Sequence, residues 1–451
     1  MDTTKRTTPP DNKRAIAAGA IGNFIEWFDF VSYGALAAIL APRFFPSENS
    51  TVSVITLFAT FALAFLFRPL GGFVFGLVGD RVGRRSALSA SVMLMSLATV
   101  VIGSLPTVEA IGLWATVLIV LARCVQAFAA GGEWSGSVVY MVEFGDQRRR
   151  SFHASLTPTG AWLGAMAAVG VVSGLNAVFG QAAVDAWAWR VPFLLAAPLG
   201  LIGLYLRLRI RDTPEFEALK SADALESRPV REAFRSHKRA LLLIFIGAAT
   251  NATCGYILLT YMATYLTTTV GVSRSAALAT NTIAIGVTAI ATVLFGIAAD
   301  RVGRKPVFIG SLLAQVVIVV PVFVVLSHGS VAGILIGQCV LGVAIGAAHA
   351  PFAVLCVELF PARVRYAASG VGYSIGSGVV GGLAPLVATA LVAASGSAIA
   401  PAFYLGGVVL TAFVVFTALL PETRGLNESR TSDTRHSAGQ SSTVRTTALT
   451  E

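Results

Sequence analysis

Five ionisable side chains lie inside long apolar runs of this 451-residue chain: Glu26, Asp29, Arg68, Arg123 and Glu133. A charge surrounded by hydrocarbon is costly unless it is paired or meets water, so each is a candidate for function. Glu26 and Asp29 stand three residues apart, which puts both carboxylates on one face of a helix, a face that Asn23, Phe30 and Tyr33 extend. A helix entering the bilayer near Ala15 carries Glu26 about 16 Å deep at 1.5 Å per residue, close to the midplane of a core about 30 Å thick. A helix entering from the other side near Ile111 carries Arg123 to a similar depth. Arg123 is therefore expected within reach of Glu26 or Asp29 in a central cavity. Arg68 and Glu133 fall nearer the cytoplasmic side, and their role is open between the gate and simple helix-orienting pairs.

An acid and a guanidinium in oil can couple two ligands. The arginine holds the carboxylate ionised; a solute carboxylate that draws the arginine away leaves the acid readier to take a proton. Proton and solute then favour each other's binding reciprocally. One charge moved through about 150 mV supplies about 3.5 kcal/mol, enough for roughly 300-fold accumulation. The plainer alternative is that these charges form buried pairs that only orient helices. Further along, the seventh run offers Asn251, Tyr256, Tyr261 and Tyr265; aromatic faces suit a quaternary ammonium, and Asn251 and Tyr261 are expected to contact the cavity. Tyr265 is expected to be an interfacial anchor. His349 is either a proton relay or a hydrogen-bonded packing group. Five scattered histidines and four cysteines in apolar runs make no metal cluster and no nucleophile–base pair, so the chain is not expected to be an enzyme.

The elements that position these residues follow from composition. The chain is 55% hydrophobic and only 12% charged, which places most of it in lipid. Apolar runs long enough to span occur at about 15–40, 52–78, 86–105, 111–141, 152–179 and 191–206, then 240–266, 275–299, 306–326, 331–357, 367–394 and 401–420. The expected fold is an all-α membrane protein of twelve transmembrane helices: an amino-terminal tail (1–14), a six-helix bundle (15–206), a cytoplasmic linker with short surface helices (207–239), a second six-helix bundle (240–420) and a disordered tail (421–451). The net charge of +10 suits nucleic acid only if the charges form a binding stripe. Instead, 28 of the 33 lysines and arginines fall in the tails, the linker and alternate loops on one side. That is the positive-inside pattern, with both termini cytoplasmic, and it excludes a nucleic-acid partner.

The two halves carry a repeat. Gly76, Asp80, Arg81, Gly83 and Arg84 follow the second run, and Gly296, Asp300, Arg301, Gly303 and Arg304 follow the eighth with the same spacing. A second echo places Glu143 seven residues before Arg150 and Glu358 seven before Arg365. Duplicated halves with a site between them are a transporter architecture. The glycines permit a tight turn. Asp80 and Asp300 can face a helix amino terminus of the opposite half, while the arginines reach Glu143 and Glu358. Such contacts would hold a cytoplasmic gate shut; the alternative is that the arginines only fix topology.

The doubled loop, the six-plus-six pattern and Pro421-Glu-Thr-Arg-Gly425 resemble the major facilitator superfamily. Gly22-Asn-Phe-Ile-Glu26-Trp-Phe-Asp29-Phe30, Phe67-Arg68-Pro69, Gly131-Gly-Glu133 and Trp189-Arg-Val-Pro192-Phe193 resemble its metabolite–proton symporters. Around Thr250-Asn251 and Leu259-Thr-Tyr261-Met262 the chain looks most like the proline/betaine branch. The resemblance implies two parallel six-helix bundles and a multi-pass protein of the bacterial inner membrane. It implies uptake of a zwitterionic osmolyte or a small carboxylate with a proton as coupling ion, with no cofactor. The solute, the proton and the lipid bilayer are the expected partners, and the chain is expected to act as a monomer. The short tail lacks the heptads of osmosensing relatives. A drug–proton exporter is the rival reading, set back by the fifth span, Thr157-Pro158-Thr-Gly160-Ala-Trp-Leu-Gly164, which lacks a GPxxGG run; a non-transporting sensor is the rival of another class.

Overall fold

The computed structural model describes residues 9–424 apart from 49, 210, 225 and 227. Among these the regular structure is entirely helical, as expected where long apolar stretches must satisfy their backbone polar groups internally. Eleven helical segments, from Leu63–Arg81 to Ala400–Leu419, are long and apolar enough to cross a membrane. The Pro9–Ala35 helix is long enough too, but Asn23, Glu26 and Asp29 dilute its apolar character. It begins at Pro9 rather than near residue 15, and a break at Leu36 separates it from Ala37–Phe44. The expected 52–78 span is two helices, Ser50–Phe65 and Arg68–Arg81, joined at Leu66 and Phe67. Pro69 sits in the first turn of the second, where a missing N–H costs nothing.

Arg207 needs a correction. It is not a linker residue: it lies buried in the last turn of Ala196–Leu208, because Glu133 offers it a counter-charge. The linker itself holds two short helices, Pro214–Ser221 and Pro229–Ser236. The expected disordered tail lies outside the described residues beyond Arg424. Two helices contain wide π-helical turns, at Ile257–Tyr261 and Gly376–Gly381, the kind of local widening often found beside functional sites.

The two halves meet along Arg68–Arg81 against Arg365–Ile375 and along Arg150–Ala186 against Arg274–Val302. Gly76 packs so close to Ala367 that an added Cβ would lie 2.6 Å from its Cα, and Gly296 faces Ser155 at 2.9 Å in the same way. Gly83 and Gly303 adopt φ of 134° and 125° with extended ψ, a region essentially reserved for glycine. A Cβ on Gly83 would also meet the carboxylate of Asp212. Gly83→Ala is therefore expected to cost roughly 2 kcal/mol, from backbone strain of about 1–3 kcal/mol plus the lost contact. The check is the thermal unfolding midpoint of purified protein in detergent, which should fall by several degrees.

Candidate functional site

A small, partly open chamber of about 30 Å³ lies where the halves meet. The first half supplies Trp27, Trp134 and Trp162; the second supplies Asn251, Tyr256, His349 and Tyr373, with small and apolar residues between them. The rings pack on one another across the seam. Trp134 stacks on Tyr373 at 3.7 Å and 4°, Trp27 lies 5.5 Å from Tyr256, and His349 meets Trp162 edge to face at 5.3 Å. The space is of water size rather than the size of a small organic molecule. Two fully buried lining atoms have no hydrogen-bond partner among the described residues: the indole nitrogen of Trp162 and Oδ1 of Asn251. Asn251 is oriented by its Nδ2, which donates to the Gly247 carbonyl at 2.9 Å. Aromatic faces attract a cation, the indole N–H suits a carboxylate, and the amide oxygen suits an N–H donor.

One hydrogen bond links this chamber to a buried ion pair. Arg68 Nη2 lies 2.5 Å from Glu26 Oε1, and Arg68 Nη1 donates to the Tyr256 hydroxyl at 3.1 Å across the seam. The guanidinium sits between the rings of Phe30 and Phe65, at 5.8 and 5.5 Å. Both members of the pair are almost fully buried, and Glu26 Oε2 has no hydrogen-bond partner among the described residues. Glu26 is thus held by Arg68 rather than Arg123.

Arg123 instead reaches Asp29, at 3.9 Å, mostly through Gln126. Arg123 Nη1 donates to Gln126 Oε1 at 2.8 Å, and Gln126 Nε2 donates to Asp29 Oδ2 and to Thr99 Oγ1. Arg123 stacks on Tyr33 at 4.1 Å. Arg123 is thus within reach of Asp29, while this cluster lies inside the first half and is not among the residues lining the chamber. The buried Asn23 does not line it either, and neither of its amide atoms has a hydrogen-bond partner among the described residues. Tyr261 is also misplaced by the sequence: the wide turn at Ile257–Tyr261 carries it against Tyr265, 5.8 Å away, in the core of the second half. Tyr265 is no exposed anchor, being fully buried with its hydroxyl donating to the Ala398 carbonyl. Glu133 is held by Arg207, Ser91 and Ser137, again inside the first half.

At the end of the bundle that carries the loop motifs, the repeat assembles as expected. Asp80 Oδ2 accepts the Ala367 N–H at 2.9 Å, and Asp300 accepts the Ser151 and Phe152 N–H groups at 2.9 Å each. Each aspartate thereby receives a helix amino terminus of the other half, where partial positive charge gathers. Arg365 reaches across to Glu143 at 2.9 Å and Arg150 to Glu358 at 3.9 Å; Arg84 and Arg304 flank the same acids at 3.4 and 3.5 Å. Arg81 and Arg301 are both exposed, turned outward by their helices.

A second layer escaped the sequence reading. Asp212 accepts the Arg84 and Arg85 N–H groups at 2.7 and 3.2 Å, and Thr213 Oγ1 donates to Glu143. In the other half Glu422 accepts the Arg304 and Lys305 N–H groups at 3.1 Å, and Thr423 Oγ1 donates to Glu358. Burial pushes the Asp212 carboxyl above its ordinary range, against the opposing pull of the N–H groups it accepts. Glu215 adds a bridge to both Arg365 and Arg150. The signal was present as an acid–threonine pair after the sixth and the twelfth runs.

Comparison with known proteins agrees with this architecture. Residues 20–292 match the family described as Major Facilitator Superfamily, and 216–429 match Sugar (and other) transporter. The chain is 39% identical over 404 residues to the glycine betaine/proline/ectoine/pipecolic acid transporter OusA of Dickeya dadantii, covering 87% of this chain and 80% of that one. It is 35% identical over 420 residues to the ectoine/proline transporter ProP of Corynebacterium glutamicum, covering 90% and 83%. It is 35% identical over 404 residues to a proline/betaine transporter of Escherichia coli K12, covering 87% and 80%. Among solved structures, the proton:xylose symporter XylE bound to 6-bromo-6-deoxy-D-glucose superposes with a TM-score of 0.78 at 16% identity, covering 93% of this chain and 98% of that one. A partially occluded inward-open conformation of the Escherichia coli xylose transporter XylE gives 0.69 at 18% identity, covering 92% and 99%.

Proposed function

Since the chain belongs to the major facilitator superfamily, we propose that it takes up a zwitterionic osmolyte of the proline, betaine or ectoine class together with a proton. Twelve helices in two six-helix bundles, 15–206 and 240–420, alternate access to the chamber, with both termini and the loop motifs on the cytoplasmic side of a bacterial inner membrane. The chamber and the lattice are complete within one chain, so a monomer suffices. The ion pairs around Glu143 and Glu358 are the cytoplasmic gate, closed here, and they part when the chamber opens inward.

The observation that carries this reading is Tyr256, which lines the chamber and whose hydroxyl accepts from the same Arg68 guanidinium that pairs with Glu26. An arriving solute carboxylate attracts the Trp162 N–H, Tyr256 and, behind it, Arg68. Each fraction of that guanidinium drawn to the solute is lost to Glu26, which then takes a proton more readily. Loading of one ligand thereby favours the other. The aromatic faces receive the cationic end of the same solute. The described lining contains no lysine or arginine, and a citrate-like polyanion would leave most of its charge unmet there, which weighs against the carboxylate alternative.

Uptake into proteoliposomes under an imposed proton gradient tests the reading, with proline, glycine betaine and ectoine set against 2-oxoglutarate, citrate and shikimate. The zwitterions are expected to accumulate and to leak back when a protonophore is added. Accumulation of the anions alone would refute the solute class. Extrusion from loaded vesicles would favour the exporter, and no flux of any solute would favour the sensor.

A further inference from the structure

His349 is the one imidazole in the chamber, and its ring is oriented by its own helix. Nδ1 lies 3.0 Å from the Ile345 carbonyl, one turn earlier. A carbonyl oxygen only accepts, so Nδ1 must carry the proton, and in the neutral ring Nε2 is left with a lone pair and no hydrogen. That nitrogen faces Gly255 across the chamber: a Cβ built on Gly255 would lie 3.8 Å from it and 3.7 Å from the Trp162 ring. Packing against the edge of Trp162, at 65° between planes, keeps the imidazole from turning over. The lone pair thus points into a space walled by aromatic faces, beside the amide oxygen of Asn251.

Aromatic faces attract any cation, methylated or not, and cannot tell one ammonium from another. A lone pair can. It accepts from an ammonium or amidinium N–H and gives nothing to a quaternary ammonium, whose methyl groups cover the charge. A site whose polar group loses its partner also rejects the analogue that lacks the matching donor.

We infer that His349 Nε2 is the specificity-determining acceptor for an N–H of the solute's cationic end, so that this chamber favours zwitterions bearing at least one N–H over fully N-methylated ones. The inference rests on the proposed solute class and assigns within it. It also gives His349 a role other than proton relay: its second nitrogen is committed to a backbone carbonyl, and among the described residues no hydrogen bond connects the ring to Glu26 or Asp29.

The test uses the full-length protein in proteoliposomes and a methylation series, proline, N-methylproline and N,N-dimethylproline, as competitors of labelled proline. The last step of the series removes the final N–H. A hydrogen bond from a charged donor is worth about tenfold or more in affinity, so wild-type affinity is expected to fall about tenfold at that step. In His349→Leu the step should vanish, because leucine accepts nothing. In His349→Gln, whose side-chain oxygen can take the place of Nε2, it should persist. A flat wild-type series, or a step of equal size in His349→Leu, overturns the assignment while leaving osmolyte uptake intact. If gradient-driven accumulation disappears in His349→Leu for every solute while solute exchange survives, His349 is a relay and the inference is wrong. If the wild type carries none of the zwitterions, the proposed function fails first and this inference with it.

Discussion

Replacing Glu26 with glutamine is expected to abolish proton-driven accumulation while leaving solute exchange across the membrane in place. Glutamine has nearly the same shape, and its carbonyl oxygen can still accept from Arg68. It cannot take up and release a proton, so the step that ties solute to gradient is missing. Accumulation should drop from the order of a hundredfold to equilibration, since about 3.5 kcal/mol per charge at about 150 mV is no longer drawn on. Arg68 is also left buried without a counter-charge, which costs roughly 3–5 kcal/mol. The variant should therefore be less thermostable as well, and exchange measured in the same vesicles separates this from loss of coupling. Asp29→Asn is the informative contrast. Gln126 stands between Asp29 and Arg123, and neither lines the chamber, so a loss of stability is expected there with exchange and accumulation reduced together. Wild-type accumulation by Glu26→Gln would end the coupling proposal.

Glu143→Gln should unlock the cytoplasmic end. Glu143 receives Arg365 from the other half at 2.9 Å, Arg84 at 3.4 Å and the Thr213 hydroxyl. Losing its charge leaves Arg365 with Glu215 and Arg84 with Asp80, each one counter-charge short in a largely buried seam. Those arginines regain hydration only if the seam parts. At about 3 kcal/mol lost from the closed state, the balance between closed and open shifts on the order of a hundredfold. Cys356 is a built-in reporter, fully buried two residues before Glu358. Its alkylation by a membrane-permeant maleimide, followed by mass spectrometry of the peptide, should accelerate strongly in Glu143→Gln protein that retains its unfolding transition. An unchanged rate would mean that these pairs only orient helices.

The lattice at the loop end was legible in the sequence because its logic is local. A repeated Gly–x3–Asp–Arg–x–Gly–Arg run and an acid seven residues before an arginine survive as patterns whatever the packing does, and Asp80, Arg84, Glu143, Arg365 and their counterparts assemble as read. The chamber was not, for two physical reasons. Depth along a helix says how far Glu26 lies from the interface but not which arginine faces it. By depth the sequence favours Arg123, with Arg68 expected nearer the cytoplasmic side, yet helix rotation and side-chain reach pair Glu26 with Arg68. Aromatic residues in apolar runs also read as lipid-facing or core. The overlooked sign was depth: tryptophan favours membrane interfaces, so Trp27, Trp134 and Trp162 well inside their helices were already out of place as anchors. Arg207 was misassigned because a charge at a helix end is indistinguishable in sequence from the start of a polar linker. Asp212 and Thr213 went unnoticed in a segment where nearly every residue is polar.

The lattice at the loop end has one further property. Each half presents an acid that receives and an arginine that gives, and the opposite half presents the same set in return. That is the signature of an isologous contact, in which one patch is complementary to itself under a two-fold rotation. The polypeptide is in this sense a homodimer written in tandem, and its switch inherits the consequence. Neither set of contacts can be released without straining its mirror image, so the closure behaves as a single cooperative unit rather than as two latches worked one after the other.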